Sequence, residues 1–380
     1  MNSILITGGR GFLGRNLAAR LHAVSEWEPL VFDLDDHPAK LPALLARADV
    51  IYHLAGVNRP RDVREYESGN TGFTLQLCNL LRQAGRRPRV VFSSSVQAAL
   101  DNPYGVSKLR AETALLEFAA DAGAAVRIYR LKNLFGKWCR PNYNSVTATF
   151  CYNVANGLPL RIEEPEHRLE LTYVDDVVDA FLLELPPDAP RESGLVSATA
   201  IPSVSVTVGE LAERIRSFHA MRLRQQLPDF CDEFNRRLYA TYLSHVPAAA
   251  REVALPAKRD TRGALVEFIK SPSGGQVFVS RTAPGVTRGN HYHHTKTEKF
   301  LVVEGEGLLR MRQVDGDEVV EYRLHGGNFQ VVDIPPGFTH SIQNLGRSEM
   351  VTLFWASEVF DPQRPDTYAC PVDQMEEHLV

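Results

Sequence analysis

His291, His293, Glu298 and His340 are the residues whose types and spacing first suggest chemistry. They lie in the stretches Gly285–Gly305, GVTRGNHYHHTKTEKFLVVEG, and Pro335–Asn344, PPGFTHSIQN. Alternate residues of a β-strand face one side, so His291 and His293 can aim at one centre. Glu298, on the next strand, adds a carboxylate oxygen, and a Pro/Gly turn presents His340 as a fourth donor. Imidazole with carboxylate suits zinc, iron, nickel or manganese rather than calcium, and zinc is the expected ion. A second constellation is Tyr104 with Lys108, four apart and therefore on one face of a helix. The lysine charge is expected to lower the phenol's pKa, so that Tyr104 exchanges a proton with a sugar hydroxyl or carbonyl oxygen near neutral pH.

These residues need elements to position them. Ile4–Thr7 reads as a strand, followed by the turn Gly8-Gly9-Arg10-Gly11-Phe12-Leu13-Gly14 and a helical pattern through Leu17, Leu21 and Val24. Gly8 permits the tight turn, Gly11 lets backbone approach a pyrophosphate, and Gly14 lets the helix lie close to the sheet. A lone glycine turn is weak evidence. Here it follows a strand at the start of the chain, and a second strand, Pro29–Phe32, ends at Asp33. Val50–Leu54 is a third strand running into Ala55, Phe73–Leu81 a helix, and Arg89–Phe92 a fourth strand ending in Ser93, Ser94 and Ser95. Asn102–Lys108 then opens a helix expected to run through Leu116. Alternation of this kind predicts a Rossmann-type doubly wound parallel sheet with ligands at the carboxyl ends of its strands.

Leu211–His245 has helical spacing and is expected to close the first domain, and Pro247–Pro256 reads as a Pro/Ala linker. From Thr261 the pattern turns to short alternating strands with glycine turns, ending near Trp355, which predicts an all-β jelly-roll barrel. The expected domains are residues 1–245, a linker at 246–258, and 259–380.

Composition sets limits on function. At 380 residues, 44% hydrophobic and 23% charged, the chain is a globular protein too long for one ordinary core. A net charge of −4 gives no general attraction for nucleic acid or anionic membrane, so an anionic substrate must be held by local groups. The five cysteines are far apart and odd in number, which suits reduced thiols in the cytoplasm. No apolar run approaches the length of a membrane span. A cytoplasmic homodimer is the expected form.

The two histidine stretches resemble the paired motifs of the cupins, small double-stranded barrels with a metal in the mouth. Residues 1 to about 245 resemble the extended short-chain dehydrogenase/reductases that act on nucleotide sugars. That likeness implies that Ser95, with Ser94 as a close alternative, hydrogen-bonds the reacting oxygen, that Tyr104 is the acid/base, and that Lys108 orients the nicotinamide ribose. It also implies cofactor contacts from Gly8, Arg10, Gly11, Phe12, Leu13, Gly14, Asp33, Leu54 and Ala55, and a place for Asn133 between the cofactor and substrate pockets. Tyr173-Val174-Asp175-Asp176-Val177 matches a later signature, although a helix N-cap by either aspartate is the preferred reading. The nucleotide-sugar 4,6-dehydratases carry an Asp-Glu pair after the strand-four hydroxyl residue. Val96 and Gln97 stand there instead, so dehydration is not expected.

Trp138–Phe150, WCRPNYNSVTATF, suits a loop that grips a uridine diphosphate sugar, with Arg140 on the phosphate. The fusion of both halves, with Lys137–Ser145, Gly289–His291 and Val332–Pro335, resembles the bifunctional capsular-polysaccharide nucleotide-sugar reductase/epimerases of the CapF type. The likeness implies a UDP-linked 4-keto amino sugar as substrate, C3 epimerisation in the barrel, then reduction of the C4 ketone, on the route to UDP-N-acetyl-L-fucosamine. The barrel base is open among His294, Lys296, Lys299, Tyr322 and His325. Asp33 favours NAD(H), whereas Arg10 could hold a 2′-phosphate and the likeness implies NADPH; NADP(H) is the expected cofactor. Two other classes stay open: a UDP-sugar 4-epimerase or dehydrogenase with a structural barrel, and a non-catalytic redox or ligand sensor.

Overall fold

The computed structural model describes residues 2–23, 27–185, 189, 191–254, 258–260, 263–265, 269, 274–358 and 361–373. Its contacts divide the chain into two units, Met1–Ser145 with Leu169–Val206, and Val146–Arg168 with Thr207–Val380.

The first unit is built on a six-stranded sheet in the order Trp27–Phe32, Asn2–Thr7, Val50–His53, Arg89–Ser95, Val126–Leu131, Gly194–Leu195. Every neighbouring pair is parallel. Strands buried on both faces must be apolar throughout, and Ile4, Leu5 and Ile6 are each fully buried. The period of two sorts them: Leu5, Ile51 and Phe92 meet Leu77, Leu115 and Phe118 on one face, while Ile4, Ile6 and Tyr52 meet Leu17, Val177 and Phe181 on the other. Strand order reverses between Asn2–Thr7 and Val50–His53, which opens a crevice at their carboxyl ends. The helix after the fourth strand spans Pro103–Ala122, beyond the expected Leu116. Its apolar face continues through Phe118 and Ala119, and it stops only where Gly123 turns left-handed at φ 66°.

The second unit contains two five-stranded sheets. One runs Glu252–Ala254, Gln330–Ile334, Glu298–Glu304, Met350–Ala356, Gln276–Thr282; the other runs Val319–His325, Glu306–Gln313, Phe338–Asn344, Thr287–Tyr292, Tyr368–Ala369. All pairings within them are antiparallel. Phe300, Val302, Leu309, Met311, Ile342 and Phe354 form the core that the alternation requires.

Two expectations differ here. Helices Val208–Leu223 and Glu233–Ser244, expected to close the first domain, group with these sheets instead. Arg222 pairs with Asp333 and Phe230 stacks on Trp355, so the faces that look merely amphipathic in sequence cover a barrel sheet. Part of the expected linker is regular structure, a short helix Ala248–Arg251 and a strand Glu252–Ala254 that adds to the edge of the Gln330–Ile334 strand. Residues 255–257 of that linker and Thr261, where the barrel pattern was expected to begin, lie outside the described residues.

Candidate active site and metal centre

In the first unit, Gly8 has φ 71°, and a Cβ there would lie 2.7 Å from the Ala55 nitrogen; at Gly14 it would lie 2.3 Å from the Gly8 oxygen. Only glycine permits either approach. Gly11 is the N-cap of helix Phe12–His22 and has no side-chain cap, so the helix start with Phe12 and Leu13 offers backbone donors to an anion. Leu54 and Ala55 follow the third strand, their amides turned to the Thr7 carbonyl and hydroxyl. Asp33 accepts from the backbone nitrogens of Arg10 and Leu34 at 2.7 and 2.8 Å. Asp36, which the sequence did not single out, takes the Arg10 guanidinium at 2.9 Å and Lys40 at 3.2 Å, and its carboxyl is held down to about 2, Arg10 being the main cause.

Ser95 and Tyr104 are brought close enough for the serine to favour the ionised phenol. The expected lowering of the Tyr104 pKa does not occur. Burial pushes the phenol up, and Ser95 only partly opposes it. Lys108 is not among the causes, because its ammonium reaches past the tyrosine to the Ser93 carbonyl at 2.7 Å, 4.4 Å from the Phe92 ring centre. Burial pushes Lys108 itself down to about 8, with Glu112 opposing. Ser94, the close alternative, is buried and donates to Glu112, which Arg130 grips with two nitrogens, so its hydroxyl is engaged within the fold. Asn70, missed by the sequence reading, joins the Val57 amide to Ser107 beside Lys108.

Asn133 is exposed at the start of strand Asn133–Phe135, and Arg140 is exposed over the Tyr143 ring. Neither aspartate of the later signature caps a helix. Tyr173 is the N-cap of helix Val174–Leu182, and Asp175, inside the first turn, holds the fully buried Lys137 at 2.8 Å. A lysine buried that deeply needs a countercharge.

In the second unit the register pairs His291 with His340 across neighbouring strands. A bulge at Asn290, with φ 56° and preceded by Gly289 at φ 104°, re-aims the strand so that His291 and His293 turn to one centre. One ligand atom from each of His291, His293, Glu298 and His340 lies within 4.8 Å of all the others. His293 Nε2 and His340 Nε2 stand 3.2 and 3.1 Å from Glu298 Oε2. These are approaches without hydrogen-bond direction, since all three buried atoms lack a hydrogen-bond partner. Burial keeps His291 neutral, pushed down to about 4, with the neighbouring imidazoles adding to the effect. Glu298 is held ionised: burial opposes this, and His293 and His340 outweigh it. Converging orphaned donors of this chemistry fit a divalent cation of the zinc type.

Of the five open candidates for a barrel base, Lys299, Tyr322 and Lys296 are engaged elsewhere. Lys299 faces opposite to Glu298 on the same strand and is buried against Asp333, beside Arg222. The Tyr322 hydroxyl donates to the Ala248 carbonyl, His325 is exposed near Glu306, Lys296 donates to the Pro365 carbonyl, and His294 packs against Tyr292 and Tyr368.

The family model described as the NAD dependent epimerase/dehydratase family matches residues 4–193, and that described as the polysaccharide biosynthesis C-terminal domain matches 258–368. A UDP-2-acetamido-2,6-beta-L-arabino-hexul-4-ose reductase of Pseudomonas aeruginosa is 41% identical over 371 residues, 98% of this chain and 99% of the other. The crystal structure of the capsular polysaccharide assembling protein CapF from Staphylococcus aureus is 43% identical, covers 98% of this chain and 100% of its own, and has a TM-score of 0.65. The structure of MoeE5 in complex with UDP-glucose and NAD is 26% identical, over 57% of this chain and 81% of its own, at a TM-score of 0.50.

Proposed function

Since the chain belongs to the NAD dependent epimerase/dehydratase family and carries a polysaccharide biosynthesis C-terminal domain, we propose that it is a bifunctional nucleotide-sugar enzyme. It epimerises C3 of a UDP-2-acetamido-2,6-dideoxy-4-ketohexose in the barrel and then reduces the C4 ketone in the first unit, on the route to UDP-N-acetyl-L-fucosamine for surface polysaccharide. Reduction is assigned within residues 1–245 and epimerisation within 259–380, in a cytoplasmic homodimer. The observation that carries the reading is the pairing of Ser95 with Tyr104, one helical turn before Lys108, in a chain that also converges four metal-type donors.

Gly8–Gly14 and Asp33 would hold NADP(H), which would supply a hydride when bound. Tyr104 keeps its proton through burial and so is ready to give it to the C4 oxygen. Ser95, beside the phenol, positions the same oxygen. Lys108 places a positive charge under the site and addresses the ribose. Arg140 and Asn133, both exposed, are the reach of the chain toward the diphosphate and sugar.

His291, His293, Glu298 and His340 would hold one zinc ion, which supplies Lewis acidity to a substrate oxygen. The C4 ketone acidifies the C3 hydrogen by delocalising the resulting carbanion as an enolate. Reduction destroys that activation, so epimerisation comes first. Steady-state turnover with the 4-keto sugar tests the reading: consumption of NADPH supports a reductase, whereas interconversion of sugars with no net cofactor consumption would replace it with an epimerase.

A further inference from the structure

Two histidines of the candidate metal centre have Nδ1 directed at a backbone carbonyl. His340 takes its carbonyl from Phe338, two positions back in its own strand, at 3.3 Å. His293 takes its carbonyl from Asp366, separated by 73 positions, at 2.5 Å. That carbonyl is held in place by the same residue's carboxylate. Oδ1 accepts from the His294 nitrogen at 2.9 Å, and Oδ2 accepts from the Thr295 and Lys296 nitrogens at 3.0 and 2.9 Å and from the Thr295 hydroxyl at 2.9 Å. The backbone at Asp366 is left-handed, φ 38°, a conformation that the carboxylate's bonds offset locally.

The segment is fastened on the C-terminal side as well. Tyr368–Ala369 pairs with His291–Tyr292, the Cys370 nitrogen donates to the Asn290 carbonyl at 2.8 Å, and the Val372 nitrogen donates to Asn290 Oδ1 at 3.2 Å. Residues 365–372 therefore touch both the bulge that aims His291 and the turn that follows His293.

We propose that Asp366 is the positioning residue of the metal centre: its carboxylate gathers the turn at 294–296, which sets its own carbonyl to receive the His293 Nδ1 proton and so directs Nε2 to the cation. An imidazole whose second nitrogen is fixed in this way has one tautomer and one orientation to offer a metal. The inference rests on the reading that the four donors hold a cation. It adds that the last strand of the barrel is part of the site.

The test measures zinc affinity by competition with a chromophoric chelator, and coordination geometry from the visible bands of the cobalt-substituted protein. Wild type, Asp366→Ala, Asp366→Asn, Thr367→Ala and His291→Ala are compared. Asp366→Ala is expected to bind zinc about 10- to 100-fold more weakly, the usual cost of removing an orienting partner, with altered cobalt bands. Asp366→Asn, which keeps one acceptor oxygen and tolerates the left-handed backbone, should fall between. Thr367→Ala, which loses only a hydroxyl bond to the Pro365 carbonyl, should match wild type, showing that disturbing the segment is not enough. Wild-type affinity and bands in Asp366→Ala would overturn the inference and leave the metal reading intact. Zinc bound undiminished by His291→Ala would instead overturn the metal reading, and the inference with it. Should Asp366→Ala fail to fold, Asp366→Asn decides alone: weakened zinc binding supports the proposal and wild-type binding refutes it.

Discussion

The two candidate sites treat their polar groups in opposite ways. In the first unit three buried charged groups have protein partners: Lys108 has the Ser93 carbonyl, Glu112 has Arg130, and Lys137 has Asp175. In the second, His293 Nε2, His340 Nε2 and Glu298 Oε2 are buried, crowded and without hydrogen bonds. Buried polar atoms are costly when unpaired, and a bound cation would satisfy all three at once. The dinucleotide side is complete as a protein and offers a surface of glycines and helix amides to a large ligand. The barrel side presents four converging donors that an ion would join.

The sharpest way to break this comparison is to disable one site and watch the other. Tyr104→Phe should lower 4-keto reduction by at least about a hundredfold, the low end of what a positioned proton donor supplies, with cofactor binding intact. Isotope exchange at C3 in heavy water should persist in this variant. Loss of exchange as well would mean that the two chemistries are not separate.

His291→Ala is the converse. Removing one of four donors should release the ion and slow C3 exchange severely, measured as deuterium incorporation without nicotinamide cofactor. The parallel sheet of the first unit, which has cores of its own, should remain folded. Undiminished exchange in a metal-free protein with an intact barrel would make the ion structural.

A milder effect distinguishes the sites by pH. Lys108 has its pKa lowered from 10.5 to about 8, chiefly by burial, so its charge is present below pH 8 and lost above it. We expect kcat/KM for reduction to decline as pH rises through about 8, while C3 exchange shows no limb from this group. A flat reductase profile up to pH 10 would show that the lysine charge does not matter to the reaction.

What could be read from the sequence, and what could not, follows the range of the interactions. The glycine turn, the Tyr104–Lys108 spacing and the four donors are local patterns tied to strand and helix periods, and they place residues correctly along each element. Spacing cannot say where a flexible side chain ends. Lys108 lies on the same helix face as Tyr104, yet its four-carbon stem carries the charge past the phenol to a strand carbonyl. Ser94 and Ser95 are equivalent in sequence, and only the distant Glu112 separates them. The helices at 208–244 show an apolar face but not which sheet it covers. Asp366 sits in a stretch with no pattern, RPDTYAC, and its role exists only because the chain returns to the turn at 294–296.

The smallest expected effect concerns cofactor choice, where the first unit's rim is itself divided. Asp33 at the end of the second strand is a natural partner for a ribose hydroxyl, and its oxygens already face the Arg10 and Leu34 amides. Against it stand two cations on Asp36: Arg10, whose side chain is 52% exposed, and Lys40, 62% exposed, both able to turn to a 2′-phosphate. Asp36 competes for them, and screening at an exposed rim keeps each contact modest. Preference for NADPH over NADH at equal concentration should therefore be clear but small, on the order of tenfold, about what one charge-assisted hydrogen bond contributes. Arg10→Ala should remove most of that preference by raising KM for NADPH, while leaving turnover with NADH unchanged. A wild-type protein that prefers NADH, or an Arg10→Ala variant that keeps its NADPH preference, would assign the site to Asp33 and the free ribose.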